Sequence, residues 1–214
     1  KAHNQYKNKS FSDDAGLIQE MKQKIYLLKG EITNIKLTYP EDIIYLNLFK
    51  KTIIKSGIGY DIHQINKNVK SGLKLCGVKL PYSKLIGHSD ADVGLHAICD
   101  SIFGALSLRD IGYHFPNTNQ KWRNADSSKF VIYCRKKLVE HGFTITNLDI
   151  NIIAEKPKIS KYVISMKKKI SELLMIESSI ISIKATTNEK IGFIGNEEGI
   201  AAEAIVQISN ENFN

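Results

Sequence analysis

Cysteine, proline, tryptophan and arginine are all scarce in this chain, and the scarcities narrow what it can be. The 214 residues hold three Cys, four Pro and one Trp, and of 30 basic side chains only Arg109, Arg123 and Arg135 are arginines. Cys76, Cys99 and Cys134 are odd in number and fit no metal spacing, which excludes a paired disulfide framework. Cys99 and Cys134 fall at apolar helical positions, so all three read as reduced core thiols in a reducing compartment. No apolar run approaches the roughly 20 residues of a membrane span. The longest, 43–49, is interrupted by Asn47. There is no secretory signal pattern, no internal repeat, and no basic surface interleaved with aromatics of the kind that binds nucleic acid. The densest basic run, Lys167 to Lys169, lies in a helical pattern and reads as a solvated face.

What is present suffices for a core. Hydrophobic residues make up 43% of the chain, and its length suits one domain with an appendage or two small domains. The net charge of +8 is spread: residues 1–55 carry ten Lys against six acids, and 56–214 carry twenty basic against sixteen acidic side chains. Such a surface suits anionic small substrates. Residues 1–14 are polar and predict disorder. Residues 14–29 place Leu17, Ile18, Met21, Ile25 and Leu28 at helical spacing, and Pro40 breaks the next stretch. No chemical motif occurs in 1–55. We expect an amino-terminal extension or leader remnant, partly disordered, on a chain trimmed or processed upstream of Lys1.

From 56 the pattern tightens. Residues 57–63, GIGYDIH, predict a strand, and 73–80 alternate as a second strand in a hairpin or loop excursion ending at Pro81. A helix comes next over 88–106, then a loop over 109–120 kept irregular by Pro116. Asp126 or Ser127 caps a helix to His141, closed by Gly142. Residues 144–154 are a strand. Ser160 caps a helix with Val163, Met166, Ile170, Leu173 and Leu174 inward, and 180–187 and 200–208 are the last strands. The expected fold is α/β in the two-layer α+β sense: a four-stranded mixed sheet covered on one face by helices, plus a small hairpin.

The polar chemistry gathers on a few stretches. In GHSDADVGLHAICDSIFGAL, 87–106, His88, Asp92, His96 and Asp100 stand four apart and share a helix face, with Val93, Ala97, Ile98, Ile102 and Ala105 opposite. Asp61 and His63, two apart on a strand, leave one face together. Singly, these residues have plainer readings as a polar strand end and a hydrogen-bonded core histidine. Together, Asp61, His63 and His96 give three protein ligands and an open fourth position, as in a catalytic zinc site. Asp92 or Asp100 would then orient the free ring nitrogen of His96. Thr186, Thr187, Asn188, Glu189 and Lys190 come directly after a strand and suit either phosphate with Mg²⁺ or a plain capped turn. The glycines of 192–199 and the 154–158 turn are weaker signals of a phosphate or ligand pocket.

Taken in order, GIGYDIH (57–63), the 87–106 stretch, RDIGYHFPNT (109–118), NIIAEKPKI (151–159) and IKATTNEKIGFIGNEEGIAAEA (183–204) resemble the 2-C-methyl-D-erythritol 2,4-cyclodiphosphate synthase family of non-mevalonate isoprenoid biosynthesis. The resemblance implies a homotrimer with active sites between subunits. It implies a phosphorus–oxygen lyase: the 2-phosphate of a CDP-linked methylerythritol attacks its own β-phosphate, expels CMP and closes a cyclic diphosphate. Zinc would sit on Asp61, His63 and His96, and Mg²⁺ or Mn²⁺ on Glu189. His88 and Thr187 match transition-state stabilisers, and Ser89 a phosphate contact. Asp61, Ile62 and His63 also match substrate contacts. Asp110, Ile111 and Gly112, then Phe115, Pro116, Asn117, Thr118 and Asn119, match the methylerythritol loop, with Phe193 and Asn196 also at substrate. Ala154, Glu155, Lys156, Pro157, Lys158 and Ile159, with Ala185, Thr186 and Thr187, match the cytidine pocket. An apolar cavity at the trimer centre would take an isoprenoid diphosphate.

Four asparagines depart from the family pattern. Asn117 and Asn119 replace loop carboxylates, Asn188 a threonine, and Asn196 an arginine. They bear on substrate contacts and leave the metal ligands intact. Residues 1–55 match nothing in the synthase family and are too short for the cytidylyltransferase domain fused to some relatives, so a monofunctional enzyme is expected. The Lys-, Asn- and Ile-rich, AT-biased composition favours a relict plastid (apicoplast) of a eukaryote, or the cytoplasm if the source is bacterial. The alternatives are a zinc-dependent nucleoside-diphosphate phosphohydrolase and a non-catalytic isoprenoid-diphosphate-binding trimer.

Overall fold

A computed structural model describes residues 2–11, 13–32, 34–45 and 51–211. They divide into two compact units, Lys1–Lys51 and Thr52–Asn214. In the first, Ala2–Gln5 and Asp14–Glu20 are helical, so one helical turn forms where composition predicts disorder. The helix predicted over 14–29 ends at Glu20. Of its regularly spaced apolar residues only Leu17 is buried, while Ile25 and Leu28 stay exposed. A short helix that buries a single side chain does not propagate. The apolar stretch 41–49 lies partly outside the described residues.

The second unit runs β1 (Ile54–Gln64), β2 (Gly72–Leu75), β3 (Val78–Ser83), α1 (Val93–Leu106), α2 (Ser128–Glu140), β4 (Thr144–Ile153), α3 (Val163–Leu174), β5 (Ile181–Thr186) and β6 (Gly199–Ser209). The sheet order is β1-β6-β4-β5, antiparallel except for β4 and β5, which α3 connects in parallel. This is the expected mixed four-stranded sheet. Along β6, Ala202, Ala204, Val206 and Ile208 are buried while Glu203, Ile205 and Gln207 are exposed. That period of two marks a sheet covered on one face. α1 packs across β1 and β6, α2 on α1, and α3 on α2 and β5. The three cysteines are buried and free, as core thiols should be. No described helix is long and apolar enough to cross a membrane.

β2 and β3 form the hairpin, turning at Cys76 and Gly77, both at positive φ. Pro81 lies inside β3 rather than ending it, next to a register shift where a ladder hydrogen bond is dispensable. Asp110 caps a helical turn, Ile111–His114, within the loop read as irregular. Ser160 begins a short 3₁₀ turn ahead of α3 and does not cap it.

The placement of α1 decides the site. It starts at Val93 and not at 88, because Asp92 is its N-cap, accepting the Leu95 N–H at 3.1 Å. The same carboxylate takes the N–H groups of Cys76 at 2.8 Å and Gly77 at 2.6 Å, fastening the hairpin turn to the helix. His88 therefore precedes the helix and does not share its face. Nearly all of α1 is buried, not one side of it. Two glycines let it press onto β1: a Cβ at Gly57 would lie 2.0 Å from the Ser101 carbonyl oxygen, and one at Gly59 2.1 Å from that of Ala97. The same face of β1 continues to Asp61 and His63.

Candidate active site

Because α1 lies against the glycine end of that strand face, His96 on its first turn meets Asp61 and His63. His96 Nδ1 is 2.8 Å from Asp61 Oδ2 and 3.4 Å from His63 Nε2, and His63 Nε2 is 3.2 Å from Asp61 Oδ2. A tetrahedral zinc with bonds of about 2.0–2.1 Å would space its ligands by about 3.3 Å. Two of the three distances match that spacing and the third, His96 to Asp61, is a hydrogen-bond length, and the three residues form a group that could hold a metal ion. The donor set of two imidazoles and one carboxylate suits a borderline divalent cation. Outer partners support it. His63 Nδ1 faces the Ile86 carbonyl at 2.8 Å, which can only accept, so this nitrogen keeps its hydrogen and Nε2, which faces Asp61, is the one that would turn its lone pair to a cation.

The charges here are mutually stabilised. Burial pushes the Asp61 carboxyl up, but hydrogen bonds and charge from His63 and His96 outweigh it and hold it well below the ordinary carboxylate range. Burial pulls the His63 imidazole down, and the Asp61 carboxylate more than offsets this, leaving it raised.

Asp92 and Asp100 do not orient His96. Asp92 spends its oxygens on backbone amides, as above, and Asp100 accepts the Ile111 N–H at 2.6 Å. The His96 Nε2 atom instead faces Ser127 Oγ at 2.8 Å and Ser89 Oγ at 3.1 Å. From the sequence, Ser127 reads only as a helix cap. Nothing in its local pattern announces that the loop before α2 returns to α1.

Asp61, His63 and His96 line a cavity of about 260 Å³ together with His88, Ser89, Ile111, Gly112, Phe115 and Asn117. Trp122 and Phe130 complete its wall, and no sequence motif points to either. The loop is stitched in place by Asn124 N–H on the His88 carbonyl at 2.7 Å and by Asp90 N–H on that of Ala125 at 3.0 Å. His88 Nε2 is 3.4 Å from the Asn119 carbonyl, and the Asn119 side chain accepts the Lys121 N–H. Pro116 and Thr118 lie in the same loop. Ile62 and Phe193 line a neighbouring pocket of about 280 Å³ with His63.

A second cavity, about 460 Å³, lies where β4 and β5 end. It is lined by Ala154, Glu155, Pro157, Lys158 and Ile159 from one loop and Ala185, Thr186 and Thr187 from the other. Lys156 turns away to an ion pair with Glu197 at 2.8 Å. Glu155 Oε1 accepts the N–H groups of both Asn188 and Lys190, binding the two loops together. Glu189 and Lys190 hold positive φ, and a Cβ at Gly195 would fall 2.2 Å from the Lys190 carbonyl carbon, so the loop is folded tightly on itself. Glu189 Oε1 accepts the Thr187 hydroxyl at 2.6 Å. The Asn188 side chain donates to the Ile191 carbonyl at 2.8 Å, closing the turn, and Asn196 ends the helical turn Gly192–Gly195. The two cavities share no lining residue, so His88 and Thr187 stand in different pockets of one chain.

The family model for the YgbB family matches residues 54–209. The bifunctional enzyme IspD/IspF of Wolbachia pipientis wMel is 46% identical over 203 residues, covering 92% of this chain and 51% of the relative. The 2-C-methyl-D-erythritol 2,4-cyclodiphosphate synthase of Ehrlichia ruminantium (strain Welgevonden) is 49% identical over 164 residues, covering 74% of this chain and 95% of the relative. A solved CDP complex of IspF from Plasmodium falciparum aligns with a TM-score of 0.67 at 40% identity, covering 74% of this chain and 97% of that one. The chain spans about half the length of the bifunctional relatives it matches. A match of 203 residues is longer than 54–209 and so takes in part of the amino-terminal unit.

Proposed function

The chain belongs to the YgbB family, and on that premise we propose that its second unit is a 2-C-methyl-D-erythritol 2,4-cyclodiphosphate synthase, a CMP-releasing phosphorus–oxygen lyase. The observation that carries the reading is the convergence of Asp61, His63 and His96 in one cavity with His88 and Ser89. In the reaction, a 2-phosphate oxygen forms a bond to the β-phosphorus while the bond to the CMP oxygen breaks. No side chain need act as nucleophile, because the substrate supplies its own.

The protein's work is positioning and charge neutralisation. Divalent ions bound at Asp61–His63–His96, as zinc, and at Glu189, as Mg²⁺ or Mn²⁺, would polarise and neutralise the phosphates. His88, Ser89 and Thr187 donate hydrogen bonds to phosphate oxygens. Ile111, Gly112 and Phe115 shape the seat of the methylerythritol. The second cavity takes the cytidine, a reading supported by the CDP in the Plasmodium relative. Holding the reacting groups in line contributes about 7–11 kcal/mol in favourable cases.

A substrate that joins methylerythritol phosphate to cytidine must touch both cavities, which one chain keeps apart. We therefore infer that a neighbouring copy completes each site, in a homotrimer. Exposed Ile58 and Ile205, which face each other across β1 and β6, and Tyr60 beside them supply an apolar face for it. An axial cavity for an isoprenoid diphosphate would go with that assembly. The curated relatives named above are bacterial, which supports a bacterial cytoplasm over a plastid-type organelle. The amino-terminal unit is read as sequence preceding the synthase unit of bifunctional relatives.

The test is to incubate protein, Mg²⁺ and the CDP-linked 2-phosphate and to resolve the products. Equimolar CMP and cyclic diphosphate are expected. A linear monophosphate without cyclic product would assign a phosphohydrolase, and no turnover a binding protein.

A further inference from the structure

A polar chain runs inward from the surface to the far side of the His96 ring. Lys74, on β2, places its Nζ 2.8 Å from Asp90 Oδ2 and 3.0 Å from Asp126 Oδ2. Asp90 Oδ2 also accepts the Ser127 backbone N–H at 3.2 Å, and Asp90 Oδ1 accepts the Ser127 hydroxyl at 2.5 Å. Ser127 is fully buried, and its Oγ is 2.8 Å from His96 Nε2.

The hydrogens can be assigned by elimination. A carboxylate accepts only, so the single Ser127 hydroxyl hydrogen goes to Asp90. The Ser127 oxygen is then left as an acceptor, and the His96 atom facing it must carry the hydrogen. Without a metal, Nδ1 also carries a hydrogen and donates it to the Asp61 carboxylate at 2.8 Å. Because Nε2 keeps its hydrogen on Ser127, Nδ1 is the nitrogen that gives up its proton and offers its lone pair when a cation binds. Ser89, at 3.1 Å from the same Nε2, is the second acceptor, and its Oγ also takes the Ala91 N–H at 3.4 Å.

We propose that Ser127, held by Asp90 and Lys74, is a positioning residue of the metal centre: it fixes the tautomer and orientation of His96 so that Nδ1 is presented as a ligand. The chain joins β2, the loop before α1 and the cap of α2 to one nitrogen of a ring on α1. The inference rests on the reading that Asp61, His63 and His96 hold a divalent metal.

The test uses the full chain, stripped by a chelator and titrated with Zn²⁺ against a chromophoric competitor. Wild type should bind one Zn²⁺ per chain; if it binds none, the metal reading fails and this proposal with it. Given wild-type binding, Ser127→Ala should weaken zinc about 10- to 100-fold, the usual cost of losing an outer partner of a ligating histidine. Asp90→Asn should weaken it less, and Ser127→Thr should restore it to near wild type. A purely structural role would lower the melting temperature of the zinc-free protein and leave the zinc-induced increment unchanged; here the increment itself should shrink. Ser127→Ala binding zinc within about twofold of wild type would overturn the proposal. Should Ser127→Ala not fold, Asp90→Asn and Lys74→Met decide by the same titration, and unchanged affinity in both overturns it.

Discussion

Asp61 sits between two imidazoles, and its titration gives a stability signature. Its folded carboxyl lies below its ordinary 3.8, so its contribution is present above that value and lost as pH falls through the depressed folded one. His63 lies above its ordinary 6.5, so its contribution is present below 6.5 and lost as pH rises through the raised folded value. Chelator-treated protein should therefore be most stable between the two, and Asp61→Asn should flatten both limbs of urea midpoints measured against pH. In the metal-bound state, His96→Ala should remove zinc and lower turnover by at least about 100-fold. Glu189→Ala should spare zinc and blunt the Mg²⁺ or Mn²⁺ dependence. Metal analysis and activation curves separate the two, and full zinc content in His96→Ala would refute the ligand assignment. At this scale the sequence reads well where spacing fixes direction: Asp61 and His63 share a strand face by period alone. It misleads at Asp92 and Asp100, which stand one turn either side of His96 but are claimed by backbone amides. Helical spacing says which side chains are neighbours, and not which amides the next loop will bring.

Among the elements, α1 against β1 is the contact on which the ligand geometry depends. Gly59→Ala would force its new methyl into the Ala97 carbonyl. We expect a loss of about 1–3 kcal/mol, as for other overpacked cores, read as a lowered urea midpoint. Zinc affinity should fall alongside, because His96 moves with the helix. Affinity unchanged in a destabilised Gly59→Ala would mean that helix placement does not set the site. The strands and helices themselves are legible, since β4 and β6 alternate and α3 carries Met166, Ile170 and Leu173 at helical spacing. Element ends are less so. Asp92 looks like one more polar residue on a helix face, but it caps α1 through the Leu95 N–H and takes two hairpin amides besides.

For the whole molecule, the sheet face away from the helices carries Ile58, Tyr60 and Ile205 exposed in a single chain. Sedimentation should show three copies, and Ile58→Lys should give a folded single chain with little turnover. A wild-type protein that sediments as one chain at full activity would remove the shared-site reading. Residues 1–51 are the least legible part, because 14–29 has helical spacing but no face to bury it. The way Asp92 holds the hairpin carries a further consequence. Its carboxylate grips main-chain amides at 76 and 77, so it registers the path of that turn and not the identity of its side chains. Variation should therefore accumulate unevenly: exposed positions of the hairpin, such as Lys79, can drift between lineages without shifting the start of α1. Position 92 should admit almost no exchange, since even Asn would offer one acceptor where two oxygens now serve three donors.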